Sequence, residues 1–420
     1  MKRIESEWKV KKMHQCLLAT MAGVGILAVG GSAFGADLEY RSVIVRVAPH
    51  LDVSATYDSN VYRNSEDTES DVYWQTQAGL NLGLIYKSLK LDAVGYTYSR
   101  TYSDTDPEEN EKLSRGQRID LSFGRRDLLE VRINEMIEHS TDYSLLAEPT
   151  TADVARPGQT PENQVDWSDR TPRDIWRMGV MLGRDLTDKT EGDVGYTYTK
   201  TDYVMDNLND SERNAGQLIL GYKVTDKSAL LLDGRYAVEN SDGYEGHGSD
   251  AYIGPGFKTR MTEKVEFMGS VGYEAYRSGT LNGTEKKNDV DAVGLHMTGS
   301  WRPVDKLVFR LTGDRLIEAS VIDSNAREVT LFGVTTGYRL TDALTASLMF
   351  SYRWDEYQEP PDGGTTERSM ESQGTSFVMD YKVGRCLTLY GATTYQTSQS
   401  NLTGDDFDQF RATLGARAAF

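Results

Sequence analysis

The chain has 420 residues, a formal net charge of −18, 38% hydrophobic residues and 26% charged ones. A soluble core of this size calls for an apolar share of roughly 45–50%, whereas a membrane barrel keeps a polar interior and needs apolar residues only at alternate strand positions. The acidic balance excludes nucleic acid as a partner, because phosphate binding needs a basic face.

The N-terminus carries Lys2, Arg3, Lys9, Lys11 and Lys12, then an apolar run over residues 16–31, then Ala33-Phe34-Gly35. Basic, apolar and small-residue regions in that order predict a cleaved signal peptide over residues 1–35. A short segment, 36–46, then leads into a barrel over 47–420. Once Cys16 leaves, Cys386 has no partner for an internal disulfide.

From residue 47 onward the chain reads as strands of period-2 alternation. The first spans about 47–57, with Pro49 at its start, where a missing N–H is tolerated. The second puts Trp74, Ala78, Leu80, Leu82, Leu84 and Tyr86 on one face, with Gln75, Gln77 and Asn81 on the other. The third is predicted to turn Val94, Tyr96 and Tyr98 outward. Its Val-Gly-Tyr-Thr-Tyr recurs at 194–198, as expected of a repeated hairpin. Further on, Leu230, Leu232 and Tyr236 alternate with Asp233 and Arg235, and the last strand alternates Phe410, Ala412 and Leu414 with Arg411 and Arg417. Pro255 sits inside a strand, so a bulge is predicted there.

Aromatic-then-basic pairs such as Tyr86-Lys87, Tyr222-Lys223, Trp301-Arg302, Tyr338-Arg339 and Tyr381-Lys382 precede short turns. Long polar connections lie between those hairpins. The predicted fold is an all-β, antiparallel up-and-down transmembrane barrel of about 18 strands, with 16 as the alternative; an even number puts both ends and all short turns on the periplasmic side. Two aromatic girdles follow. Tyr86, Tyr222, Phe257, Trp301, Tyr338, Tyr381 and Phe420 form the turn-side girdle. Tyr98, Tyr198, Tyr273, Tyr352, Trp354 and Tyr395 form the loop-side one.

The whole mature chain resembles bacterial outer-membrane β-barrels, which end in an aromatic like Phe420. More narrowly, the opening Ala48-Pro49-His50-Leu51-Asp52-Val53-Ser54-Ala55-Thr56-Tyr57-Asp58-Ser59-Asn60-Val61-Tyr62-Arg63 resembles that of the β-barrel porin 2 family. The resemblance implies a porin-like barrel in the outer membrane of a Gram-negative-type bacterium, with Phe420 as the handle for the barrel-assembly machinery. It does not carry over a solute.

The lumen is where function is sought. Predicted pore-lining charges are Arg118, Glu130, Arg132, Asp193, Asp233 and Arg235 in the first half, and Glu266, Arg310, Asp314, Arg353, Arg411 and Arg417 in the second. Asp120, Glu274 and Asp355 share their faces. The connection 141–172 is the third long one on its side. Folded inward, it would bring Glu148, Asp153, Glu162, Asp166 and Asp169 to a cation-favouring constriction. Acidic stretches at 66–71 and 104–111 are read as solvated loops; their other reading is cation binding near lipopolysaccharide. His50, His139, His247 and His296 lack metal-ligand spacing, and neither a nucleophile elbow nor a phosphate-cradling loop occurs. No enzyme and no cofactor are expected. The reading is a passive channel for small hydrophilic solutes or ions, in contact with outer-membrane lipid and lipopolysaccharide and open to homo-oligomerisation. The alternative is a conduit or scaffold of an exopolysaccharide or other export system.

Overall fold

A computed structural model describes residues 36–40, 43–61, 68–103, 113–140, 173–203, 210–241, 247–277, 289–319, 326–357, 368–401 and 406–420. Residues 1–35, predicted above as a signal peptide, and the connection 141–172 lie outside them. The described residues form a single 19-stranded sheet. In chain order its strands are β1 (Ala36–Tyr40), β2 (Val43–Asp58), β3 (Asp71–Tyr86), β4 (Leu89–Tyr102), β5 (Leu113–Arg125), β6 (Leu129–Ser140) and β7 (Arg173–Asp185). Then come β8 (Thr190–Tyr203), β9 (Ser211–Thr225), β10 (Ser228–Ser241), β11 (His247–Thr262), β12 (Val265–Arg277) and β13 (Val290–Val304). The last are β14 (Leu307–Ala319), β15 (Ala326–Arg339), β16 (Leu344–Tyr357), β17 (Ser369–Lys382), β18 (Leu387–Ser400) and β19 (Phe407–Ala419).

Each strand pairs antiparallel with the next, and β19 pairs with β2, so β2–β19 close an 18-stranded barrel. Closure leaves no lipid-exposed sheet edge, which is what lets strands cross a bilayer. Following the paired residues once around the wall returns to β2 about 22 residues further along, a shear that tilts the strands by roughly 40°. The short turns, 87–88, 126–128, 186–189, 226–227, 263–264, 305–306, 340–343 and 383–386, all lie at one end.

Alternation sets the two faces. On β10, Leu230, Leu232 and Tyr236 are exposed on the outside, while Leu231, Asp233 and Ala237 are buried inside. The turn-side girdle is exposed at every predicted position, from Tyr86 to Phe420. The loop-side girdle needs one correction. Tyr98 is 1% exposed and Tyr96 6%, and both face the lumen. They share a face with Lys90, Asp92 and Arg100, and Tyr96 lies opposite Gly79 of β3 and Gly116 of β5. Trp74 and Trp176 are exposed on the outer face near the loop-side end.

Pro49 and Pro255 also depart from expectation. Pro49 is inside β2, not at its start. Its carbonyl accepts the Phe420 N–H at 3.0 Å, so its own nitrogen points to that same edge. On that edge β19 ends at His50 and β1 begins at Val47. The absent N–H falls in the gap between them. Pro255 makes no bulge: pairing with β12 skips Gly254 and Pro255 and resumes in the same register at Gly256↔Ser270. The ladder loses partners where the donor is missing, and the backbones crowd together instead. A Cβ on Gly272 would overlap the Ile253 carbonyl and Gly254, so only glycine fits there.

Candidate functional site

A short repeat builds the lumen wall. On four strands an acid and an arginine sit two residues apart, which places both on the inner face. Each such pair closes on itself: Arg118–Asp120 at 2.8 Å, Glu130–Arg132 at 2.7 Å, Asp233–Arg235 at 2.7 Å and Arg353–Asp355 at 2.6 Å. A self-paired couple leaves a fixed dipole at the wall instead of a long-range field of one sign.

At the turn-side mouth, Arg126 reaches from the β5–β6 turn to Asp193 on β8, with a two-pronged contact at 3.1 and 3.0 Å. Glu130, Asp185 and Glu191 lie within 4 Å of the same guanidinium. Its reach across two strands is non-local, and nothing in the β5–β6 turn alone indicates it. Glu266 pairs with Arg260 at 2.7 Å. Arg417 pairs with Asp52 at 3.0 Å across the closing seam and stacks over Tyr390. Arg310 and Arg411 are half-buried on the inner face.

Midway up, the Asp233–Arg235 pair extends into a chain of polar groups. Asp233 accepts from Gln217 and Ser270, and Arg235 lies over the Tyr252 ring and 3.1 Å from His296 Nε2. His296 Nδ1 is 2.9 Å from Asp314. A guanidinium can only donate, so Nε2 accepts and the ring proton sits on Nδ1, toward Asp314. A histidine held by a carboxylate is the shape of a hydrolase dyad. Here the imidazole lone pair faces a guanidinium and not a hydroxyl, so no nucleophile is activated.

Nearer the long loops the inner-face charges are packed together and buried. Arg327 and Arg353 flank Glu318 at 3.3 and 3.5 Å, Asp355 completes the group, and all four are 4% exposed or less. Arg327 also donates to the Tyr357 hydroxyl at 3.1 Å, and Arg368 stacks on that ring. Removing one member of such a buried group costs roughly 3–5 kcal/mol. Glu318 and Arg327 escaped the sequence reading because they flank a long connection. On the opposite wall, Tyr96 donates to Glu138 at 2.7 Å, and Arg100 lies between Tyr73 and Tyr98. The candidate constriction residues Glu148, Asp153, Glu162, Asp166 and Asp169 lie outside the described residues, as does most of the acidic stretches. Among the described residues no group of His, Cys, Asp and Glu is arranged to hold a metal ion.

Residues 237–420 match the family described as Putative beta-barrel porin 2. No curated protein matches the chain. Among solved structures, OccAB4 of Acinetobacter baumannii is similar at 14% identity and a TM-score of 0.46, over 89% of this chain and 98% of that one. OpdK of Pseudomonas aeruginosa is similar at 11% and 0.47, over 89% and 99%. OpdQ of the same species is similar at 13% and 0.46, over 90% and 98%. With the closed wall, the apolar outer belt and the porin-family match all in place, the chain is an outer-membrane β-barrel protein whose C-terminal part resembles the Putative beta-barrel porin 2 family.

Proposed function

We propose that the barrel is a channel for passive diffusion of small hydrophilic solutes or ions. One observation carries this reading: the turn-side half of the lumen is lined by charges of both signs that remain in contact with water, among them Asp120, Lys258, Arg260 and Arg417. Self-paired charges favour a weakly selective channel, and the acidic balance of the chain tilts it toward cations. Planar-bilayer recording of the refolded protein tests it. A steady open conductance with mild cation preference is expected, and Asp120→Asn, at a water-exposed lumen carboxylate, should reduce that preference without impairing folding. A barrel that stays silent in every lipid overturns the proposal.

The packed loop-side half of the lumen favours a second reading, a conduit or scaffold of an export system. A barrel that conducts only after its long connections are deleted would support it. In either case the proposed surroundings are outer-membrane lipid and lipopolysaccharide, with Phe420 as the handle for assembly and association between copies left to a cross-linking experiment.

A further inference from the structure

The barrel wall forks between β13 and β14. Their ladder ends at Leu295↔Arg315. Yet β13 runs on to Val290 beside β12, and β14 runs on to Ala319 beside β15. The end of the β14–β15 hairpin has therefore left the wall, and its contacts say where it goes. Ile317 donates its backbone N–H to Glu274 Oε1 at 3.2 Å, and Glu274 is a lumen-side residue of β12. By the alternation that turns Arg315 outward, the Ile317 side chain belongs on the lipid face. It is instead 2% exposed and clusters with Tyr276, Val290 and Ala326. Tyr276 and Val290 sit opposite one another on the lumen side of β12 and β13. The outer face of the hairpin end thus lies on the inner face of the neighbouring strands, and Glu318 projects further in, toward Arg327 and Arg353.

A fork is costly, because it strips partners from backbone groups on both edges, and at membrane depth that is tolerated only inside protein or beside water. Glu274 offsets part of the cost by capping one freed N–H. Its second oxygen is buried without a hydrogen-bond partner. A Cβ at residue 294 would stand 2.6 Å from that oxygen, so Gly294 leaves the carboxylate its place.

We propose that this tucked hairpin end is the constriction of the channel, hinged at Arg315 and Leu316 and latched to the wall by Glu274. The proposal rests on the reading of the barrel as a channel and assigns its narrowing to a strand end. It predicts that the constriction is set by a hydrogen bond to one carboxylate.

The test uses the full chain with Cys16→Ser and Cys386→Ser, so that the introduced thiols are alone. Tyr276→Cys with Ile317→Cys should form a disulfide on oxidation, read as a gel shift. The oxidised form should conduct poorly, and reduction should raise conductance by about twofold or more. Glu274→Leu removes the latch and should conduct more than the unaltered protein, whereas Glu274→Gln keeps an acceptor for the Ile317 N–H and should conduct like it. Heat-modifiable migration on gels checks that each variant folds. Failure of the disulfide to form overturns the tuck. A disulfide that forms without changing conductance overturns the constriction. Silence of the oxidised, reduced and Glu274→Leu forms alike, with the disulfide formed, sinks the channel reading and the constriction with it, while leaving the tuck intact.

Discussion

The pentapeptide Val-Gly-Tyr-Thr-Tyr occurs on β4 and again on β8, and the two copies face opposite ways. On β8, Val194 and Tyr196 are about half exposed on the outer surface, and Tyr198 meets Trp176 edge-on in the loop-side girdle. On β4, Tyr96 and Tyr98 are buried in the lumen and stack on one another. Five identical residues cannot decide their own facing. Their turn-side flanks do: Lys90 and Asp92 are in phase with the β4 tyrosines, while Glu191 and Asp193 are out of phase with those of β8. Moving a charge to the lipid side costs more than moving a tyrosine to the lumen side, so the charges choose and the aromatics follow.

An arginine scan of the two copies should give the largest difference. Val194→Arg puts a charge near midplane on the lipid face and should cost roughly 2–4 kcal/mol in urea unfolding of the vesicle-refolded barrel. Val94→Arg stays on the lumen side, opposite Arg118 and against the Tyr96 cluster, and should cost less, about 1 kcal/mol. Equal losses would undo the facing assignment. A smaller contrast is expected from the hydroxyls. Tyr96→Phe takes a donor from the buried Glu138 and should cost about 1–2 kcal/mol, against about 0.5 kcal/mol for Tyr196→Phe, whose partner Asn214 is at the outer surface. The least perturbing probe is tryptophan at each site. Brominated lipid should quench the added fluorescence of Tyr196→Trp and leave that of Tyr96→Trp untouched; quenching at both would break the comparison.

Much of the fold was legible because its rules are local. Alternation, aromatic-plus-base turns and an even strand number lead directly to eighteen strands and every short turn. The i, i+2 acid–arginine couples were also readable, since a strand must place both on one face. What could not be read depends on partners far away in sequence. The phase of β4 was visible in its flanking charges, but the echo of β8 is the louder signal and points the wrong way. The Pro255 gap needs glycines on another strand. Ile317 leaves the wall because Glu274, Tyr276 and Val290 receive it, and nothing in its own neighbourhood says so.

The short strand β1 has a consequence for how the wall shuts. Because side chains alternate with a period of two, sliding β19 along β2 by two residues would keep every side chain on its proper face. Facing alone therefore cannot choose among those registers. β1 already occupies the β2 edge from Val43 to Val47, so β19 can zip only as far as His50 before its end meets an occupied edge. Together with the missing donor of Pro49, the first hairpin acts as a mechanical stop. It bars every register that would carry the end of β19 past Pro49, registers that hydrophobicity alone would leave open.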